Sequence, residues 1–459
     1  MRYTDLELLA EQQDVVKADG KRLLKFNLTV VGVLAPTQCE IDLGEVRKLK
    51  IAALQDDATA KEAAALGAAL SAALLPTEVF NEVSNRISVA TAGKEGLRIR
   101  LILSGSDLKN LPWEFLLLNR GGGEAKLSDF LCLNPNVSLV RHPVTTLPAW
   151  RLGATSPVKV MIAGASPANW PPLNVSKEVA LIQKALAANP HVTVSTSEKA
   201  QTSDLPDKAN PAHIFHFAGH GNFEKQQSAK PGAFEGTGSL ILEDEYDLPE
   251  VLDADTLAVR LSNAGVRLAV LGACQTAERD DVNVWGSVAE SLLKAELGAV
   301  VGMQFKVRDD SAIAFAEKFY NALAIGLSVD EAVTAGRVAV ASLKDAKGWA
   351  NPALYLRAPD GVIFESIAAD PKLQAERQQA TVVINQEVEE LYGEAIGFEF
   401  DTIGPGSSTT VKQKVNTVKA GGKLVGGTAR QVGGTVHVDQ TIEDAEGDVT
   451  GISIGDDDD

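Results

Sequence analysis

The sequence predicts an α/β protein built on a mostly parallel sheet with helices on both faces. Three observations carry that expectation. Between residues 153 and 366, short apolar runs alternate with stretches of helical length, the pattern of successive βαβ units. The runs at 158–163 and 268–271 are almost continuously apolar, as strands covered on both faces must be. Two of the runs end in small residues followed by a reactive one, at Gly219-His220-Gly221 and Gly272-Ala273-Cys274. In open α/β sheets the working residues gather at the carboxyl ends of strands.

The flanking regions read differently. Residues 1–152 suggest an α+β domain. A β-branched run at 23–34 predicts a strand. Residues 57–90 are rich in Ala and Leu at helical spacing and are interrupted by Pro76. Residues 97–103 alternate strictly, as a half-buried strand does. Gly121-Gly122-Gly123 marks a loop. In the central region the strand at 158–163 leads to the loop Gly164-Ala165-Ser166-Pro167, and Ser176 is the expected cap of a helix running to about 186. Strands follow at 192–195, 212–217, 268–271 and 299–303. Helices are expected at 286–297, 310–324 and 329–343. Residues 367–459 open with a charged helical stretch at 371–379. They continue as short valine-rich runs punctuated by Gly421-Gly422, Gly426-Gly427 and Gly433-Gly434, a repeat-like, β-prone interaction segment.

Composition bounds the function. The 459 residues hold 61 acidic and 43 basic side chains, a formal net charge of −18. Such a balance argues against direct binding of nucleic acid, which draws on excess Lys and Arg. Three cysteines in a chain of this size make no disulfide framework and suggest a reducing, cytoplasmic setting. No apolar run reaches the roughly 18 residues of a spanning helix, so no membrane partner is expected.

The two reactive strand ends define the candidate chemistry. In a parallel sheet the tips could lie side by side and aim His220 and Cys274 into one crevice. A thiol is a poor nucleophile at neutral pH until a base draws off its proton, and an imidazole does so and can return the proton to a leaving amine. The backbone N–H groups of Gly221 and Cys274 are candidate oxyanion donors. Cys274 follows His220 by roughly 50 positions, the order and spacing of caspase-type enzymes. Papain-like enzymes place the cysteine first, and an α/β-hydrolase needs its histidine after the nucleophile, where only His437 remains. His216 and His220 stand four apart, yet on a strand with no Glu between them, so a metal site is not expected.

At these residues the sequence resembles the CHAT family of caspase-like peptidases. Phe217-Ala218-Gly219-His220-Gly221 resembles the family's His-Gly block. Leu271-Gly272-Ala273-Cys274-Gln275-Thr276-Ala277 resembles its Cys block, with Gly272 for the usual Ser. Residues 300–309 resemble a further segment in which Phe305 replaces Trp. Leu111-Pro112-Trp113-Glu114 and the Trp349, Pro352 and Tyr355 pattern are also similar, so the likeness runs from about 97 to 364. The resemblance implies a caspase-like sheet and a cysteine endopeptidase with His220 as base, Cys274 as nucleophile and no cofactor. It implies a protein substrate, an activating sensor or partner protein, and use in bacterial defence or programmed cell death. Caspase-type relatives often hold a basic residue in an acidic S1 pocket, for which Asp309, Asp310 and Asp244 are the candidates here. The alternative is a catalytically silent caspase-like scaffold.

Overall fold

The first 42 residues form three strands because their apolar side chains recur at every second position. In β1 (Tyr3–Ala18), Leu6, Leu8 and Ala10 are buried while their neighbours are not, and β2 (Lys21–Val30) buries Leu24, Phe26, Leu28 and Val30. With β3 (Leu34–Asp42) they make an antiparallel meander, turned between β1 and β2 by Asp19 and Gly20 at positive φ. The computed structural model describes residues 2–119, 125–143, 157–187, 190–227, 234–272 and 284–363 except 307, 344 and 359, and the strand backbones between 381 and 454.

Helices α1 (Leu43–Ala53), α2 (Ala60–Leu74) and α3 (Thr77–Ala92) follow. The α2 N-terminus carries a reciprocal capping box between Thr59 and Glu62, and Pro76 separates α2 from α3 as the sequence predicts. These two helices together have the length and composition of a span, but the chain bends by 105° between them. No single helix among the described residues is long and apolar enough to cross a membrane. Next come β4 (Gly96–Ser104), the single-turn α4 (Ser106–Lys109) and β5 (Val137–Arg141).

The central region supplies β6 (Val158–Gly164), α5 (Val175–Leu186), β7 (Val192–Ser197) and β8 (Ile214–Ala218). The sheet is completed by β12 (Leu268–Leu271), β13 (Ala299–Met303) and β14 (Pro352–Leu356). Eleven strands form one sheet in the order β3-β2-β1-β4-β5-β14-β13-β12-β8-β6-β7. Antiparallel pairing is confined to β1–β2, β2–β3 and β13–β14, so the expected mostly parallel caspase-like sheet is present. Between β8 and β12 lies a separate antiparallel sheet of β9 (His220–Gln227), β10 (Phe234–Glu243) and β11 (Pro249–Asp253), which the sequence reading left unassigned.

Alternation along β8 divides the two faces. Phe215 and Phe217 enter a core with Leu257 and Leu261 of α6 (Ala254–Asn263) and Trp285, Val288 and Leu292 of α7 (Val284–Lys294). His216 points the other way, toward α8 (Asp309–Ala324), which pairs with α9 (Val329–Ala341). Helices therefore cover both faces, as expected.

The boundary expected at 152 does not divide the sheet. Strands from both sides of it lie in the same eleven, and Met1–Ala368 is one compact unit. Buried polar groups tie the two halves. Arg141 donates to both Glu114 oxygens at 2.9 and 2.7 Å, and Gln304 donates to Glu114 at 2.9 Å. Arg98 donates to both Asp330 oxygens at 2.8 and 2.9 Å, and the Ser138 hydroxyl donates to the same carboxylate at 2.5 Å. Trp349 is fully buried, with its ring centroid 5.4 Å from that of Phe115 and 4.5 Å from that of Phe130. The Leu-Pro-Trp-Glu and Trp349 motifs are thus structural ties between the halves.

The described strands of the second unit, Ala369–Asp459, form three turns of a parallel β-helix. Its first turn is β15 (Thr381–Leu391), β16 (Glu394–Ile396) and β17 (Glu399–Ile403). The second is β18 (Ser408–Val418), β19 (Lys423–Val425) and β20 (Thr428–Val432). The third is β21 (Thr435–Ala445), β22 (Asp448–Thr450) and β23 (Ser453–Ile454). Strands in corresponding positions of successive turns pair in parallel. The helical stretch expected at 371–379 and the loop at 121–123 lie outside the described residues.

Candidate active site

The central strand β8 carries the chain to His220 through a kink that only glycine permits. A β-carbon on Gly219 would stand 2.5 Å from the Phe217 ring and 3.0 Å from the Ala165 carbonyl oxygen. His220 then opens β9, registered opposite Ile241 of β10, with Gly221 opposite Leu240. The imidazole is fully buried. Its Nε2 lies 2.7 Å from the Pro171 carbonyl oxygen, and its ring centroid is 5.1 Å from that of Trp170. A carbonyl only accepts, so Nε2 is the protonated nitrogen and Nδ1 carries the lone pair. Nδ1 is buried with no hydrogen-bond partner among the described residues. Burial lowers the His220 pKa, with the Pro171 hydrogen bond opposing, which favours the neutral ring.

The adjacent strand β12 pairs in parallel with β8, Leu271 opposite Phe217, and the Gly272 N–H donates to the Phe217 carbonyl at 2.6 Å. The two strand tips are therefore neighbours, as the sequence predicts. Cys274 itself, within 273–283, lies outside the described residues. The departure from the family at Gly272 has a steric reason: a β-carbon there would be 2.7 Å from the Phe217 carbonyl oxygen and 3.2 Å from the Ala218 Cα.

The three S1 candidates occupy different places. Asp244 shapes the turn between β10 and β11, accepting from the Tyr246 and Leu248 N–H groups at 2.8 Å each. Asp310 pairs with Arg308, which holds its carboxyl below the usual range, and accepts from the Ser311 N–H at 2.9 Å. Asp309 opens α8, is 63% exposed on its side chain and pairs with Lys177. Of the three, Asp309 is the one whose charge acts on Glu178, a residue of α5.

Glu178, in the first turn of α5, is a residue that the sequence did not single out. In the structure Asn174 is the cap, its Oδ1 accepting from the Lys177 N–H at 3.3 Å, in place of the expected Ser176. Glu178 faces a cavity of about 50 Å³ between the sheet and α5 and α8, lined also by His216, Gly272, Phe315, Tyr320 and Asn351. Burial, aided by Asp309, pushes its carboxyl up to about 7. Beside it His216 Nδ1 lies 2.6 Å from the Tyr320 hydroxyl, and burial pushes that histidine down to about 4. Glu243 was also missed. It is buried at the end of β10 and accepts from the Ser166 N–H at 2.6 Å, fixing the loop after β6. A carboxylate ending an otherwise apolar run, as in Leu240-Ile241-Leu242-Glu243, was the available signal.

A mostly parallel sheet in this order, with helices on both faces and a buried imidazole at the tip of a central strand, is a caspase-like architecture. The sequence matches the CHAT domain family over residues 62–380, and the chain belongs to that family. The expected start near 97 falls inside the matched region. No curated protein matches the chain. Among solved structures it is similar to the Saccharomyces cerevisiae separase–securin complex in two crystal structures, at 3.0 and 2.6 Å resolution. The identities are 17% and 15% and the TM-scores 0.30 and 0.29. Each alignment covers 57% of this chain and 15% of that chain.

Proposed function

We propose that the chain is a regulated cysteine endopeptidase in which His220 and Cys274 form the catalytic dyad. One observation carries the reading: a fully buried imidazole whose Nε2 is held by the Pro171 carbonyl and whose Nδ1 is unpartnered among the described residues, beside the strand that leads to Cys274. Nδ1 takes the thiol proton as the Cys274 sulfur attacks the scissile carbonyl carbon. The oxyanion accepts from the Gly221 and Cys274 backbone N–H groups. Collapse breaks the C–N bond, and the imidazolium returns the proton to the leaving amine. Water, activated by the same nitrogen, then hydrolyses the thioester and frees the thiol. The Pro171 carbonyl fixes the tautomer throughout.

The substrate is a partner protein, cut after a basic residue. The preference is supported by Asp309 at the start of α8, whose charge acts on Glu178, and by Glu178 itself, which lines a cavity together with Gly272. An activating sensor or partner protein controls turnover, and the setting is cytoplasmic bacterial defence or programmed cell death. Family membership supports these last readings. The test is a thiol-directed activity probe with wild type, Cys274→Ala and His220→Ala, beside a fluorogenic peptide panel. Labelling confined to wild type and turnover after Arg or Lys are expected. Equal cleavage by wild type and Cys274→Ala removes the dyad, and turnover only after Asp or Leu removes the basic preference.

A further inference from the structure

The C-terminal β-helix repeats with a 27-residue step, 381 to 408 to 435, and its charge changes sign at every turn. Residues 381–403 hold Glu387, Glu389, Glu390, Glu394, Glu399 and Asp401 and no Lys or Arg. Residues 408–432 hold Lys412, Lys414, Lys419, Lys423 and Arg430 and no acid. Residues 435–454 hold Asp439, Glu443, Asp444, Glu446 and Asp448 and again no Lys or Arg. Register sets these signs against one another: Glu387 stands opposite Lys414, and Lys412 stands opposite Asp439. The apolar and amide positions instead repeat in kind, as Ile384, Val411 and Val438, Val388, Val415 and Ile442, and Gln386, Gln413 and Gln440. The middle turn is therefore a basic layer between two acidic ones.

Among the described residues no strand pairs with the outer edges of β15, β16 and β17, or with those of β21, β22 and β23. Strand edges carry rows of backbone N–H and C=O groups that template a further strand, and repeat arrays require a cap or a partner there. Neighbouring strands lie ~4.8 Å apart, so facing positions of like charge repel and those of opposite charge attract. A second copy stacked head to tail would lay an acidic third turn on an acidic first turn, with Asp444 facing Glu390 by the register already in use. The fitting layer on either end is basic.

We propose that an outer strand edge of this β-helix, unpaired among the described residues, receives a basic, valine-rich strand from another protein, with the charge pattern of residues 408–432. Backbone pairing supplies the affinity of such strand addition, and the alternating charge selects the partner and opposes filament growth by the chain itself. This proposal stands apart from the peptidase reading.

The experiment uses the full chain bearing Cys274→Ala, so that the probe is not cut. The probe is a labelled peptide of residues 408–432, compared with the same peptide carrying Lys412→Glu, Lys414→Glu, Lys419→Glu, Lys423→Glu and Arg430→Glu. Anisotropy titrations follow at low and moderate salt, with hydrogen exchange to locate the bound strand. The native-charge peptide is expected to bind at least about tenfold more tightly than the inverted one, to weaken with salt, and to protect 381–391 or 435–445. The altered charges sit on the probe, so protein folding does not confound the comparison. Equal binding of both peptides, binding of neither, or protection confined to 214–221 overturns the proposal. Filament formation by the unliganded chain at neutral pH and low salt also overturns it, by making a second copy the occupant.

Discussion

Single residues set the chemistry, and two of them carry opposite pH signatures from those of exposed groups. Replacing Cys274 by Ala or His220 by Ala is expected to lower peptidase turnover by at least about 10²-fold, the contribution of a positioned base or nucleophile. Circular dichroism on the same samples checks that the fold is intact. His216 governs stability instead. Its folded pKa of about 4 lies below the ordinary 6.5, so between these values the unfolded chain binds a proton that the folded chain excludes. Its contribution is therefore present above pH 6.5 and lost as pH falls toward 4, by on the order of 3 kcal/mol. Glu178, raised to about 7, acts in the opposite sense, because its neutral form is the one the fold prefers. Urea titrations of wild type and His216→Gln at pH 7 and pH 4.5 isolate the first term, and the variant is expected to lose less stability on acidification. An equal loss in both proteins would mean that His216 protonates freely in the folded state. The histidines also show how far sequence reached. His220 was legible because a glycine on each side marks a strand tip. Pro171 and Trp170, which orient it, were not, because proximity of a loop some fifty residues away leaves no local pattern.

At the scale of elements, β8 and β12 must approach closely, and glycines set the distance. Gly272→Ser, which restores the family's usual residue, places a β-carbon against the Phe217 carbonyl at 2.7 Å. Backbone does not yield as a side chain does, so the variant is expected to lose stability, by about 1–3 kcal/mol for an overpacked site, measured by chemical denaturation. A neutral result would show that β12 can shift away from β8. A second element-level tie is the buried cluster of Arg98, Ser138 and Asp330, which joins β4 and β5 to the first turn of α9. Asp330→Ala leaves the Arg98 guanidinium, itself 1% exposed, without its main partner. Removing one member of a buried pair costs about 3–5 kcal/mol, so a clear fall in the denaturation midpoint is expected. The elements that sequence identified share one property, continuous apolar runs or capped helical spacing. β1 was missed because acids stand around its buried Leu6, Leu8 and Ala10, at Asp5, Glu7 and Glu11, and Leu9 breaks the alternation. β14 was missed because its five residues carry no turn signal, although the motif that contains it was recognised.

For the whole molecule, the division of labour differs from the one that composition suggested. Alternation of strands and helices between 153 and 366 made that stretch look self-sufficient, since local periodicity reports which residues are buried and not which strands are neighbours. The sheet instead continues through β14 into β5, β4 and the N-terminal meander, and Glu114 bridges Arg141 and Gln304 across the supposed boundary. A fragment of residues 153–368 would retain the strands that lead to His220 and Cys274. It would lose the partner of β14 and strip the cover from Trp349, which packs on Phe115 and Phe130. It would also leave Asp330 buried without Arg98 and expose an unpaired edge of the kind that aggregates. Each of these defects is a kilocalorie-scale loss against a total stability of roughly 5–15 kcal/mol. The fragment is therefore expected to be insoluble or to unfold without a cooperative transition, whereas residues 1–368 give one sharp transition. Soluble, cooperatively folding 153–368 that reacts with a thiol probe would instead establish the central region as an autonomous peptidase domain, with the N-terminal strands as an accessory.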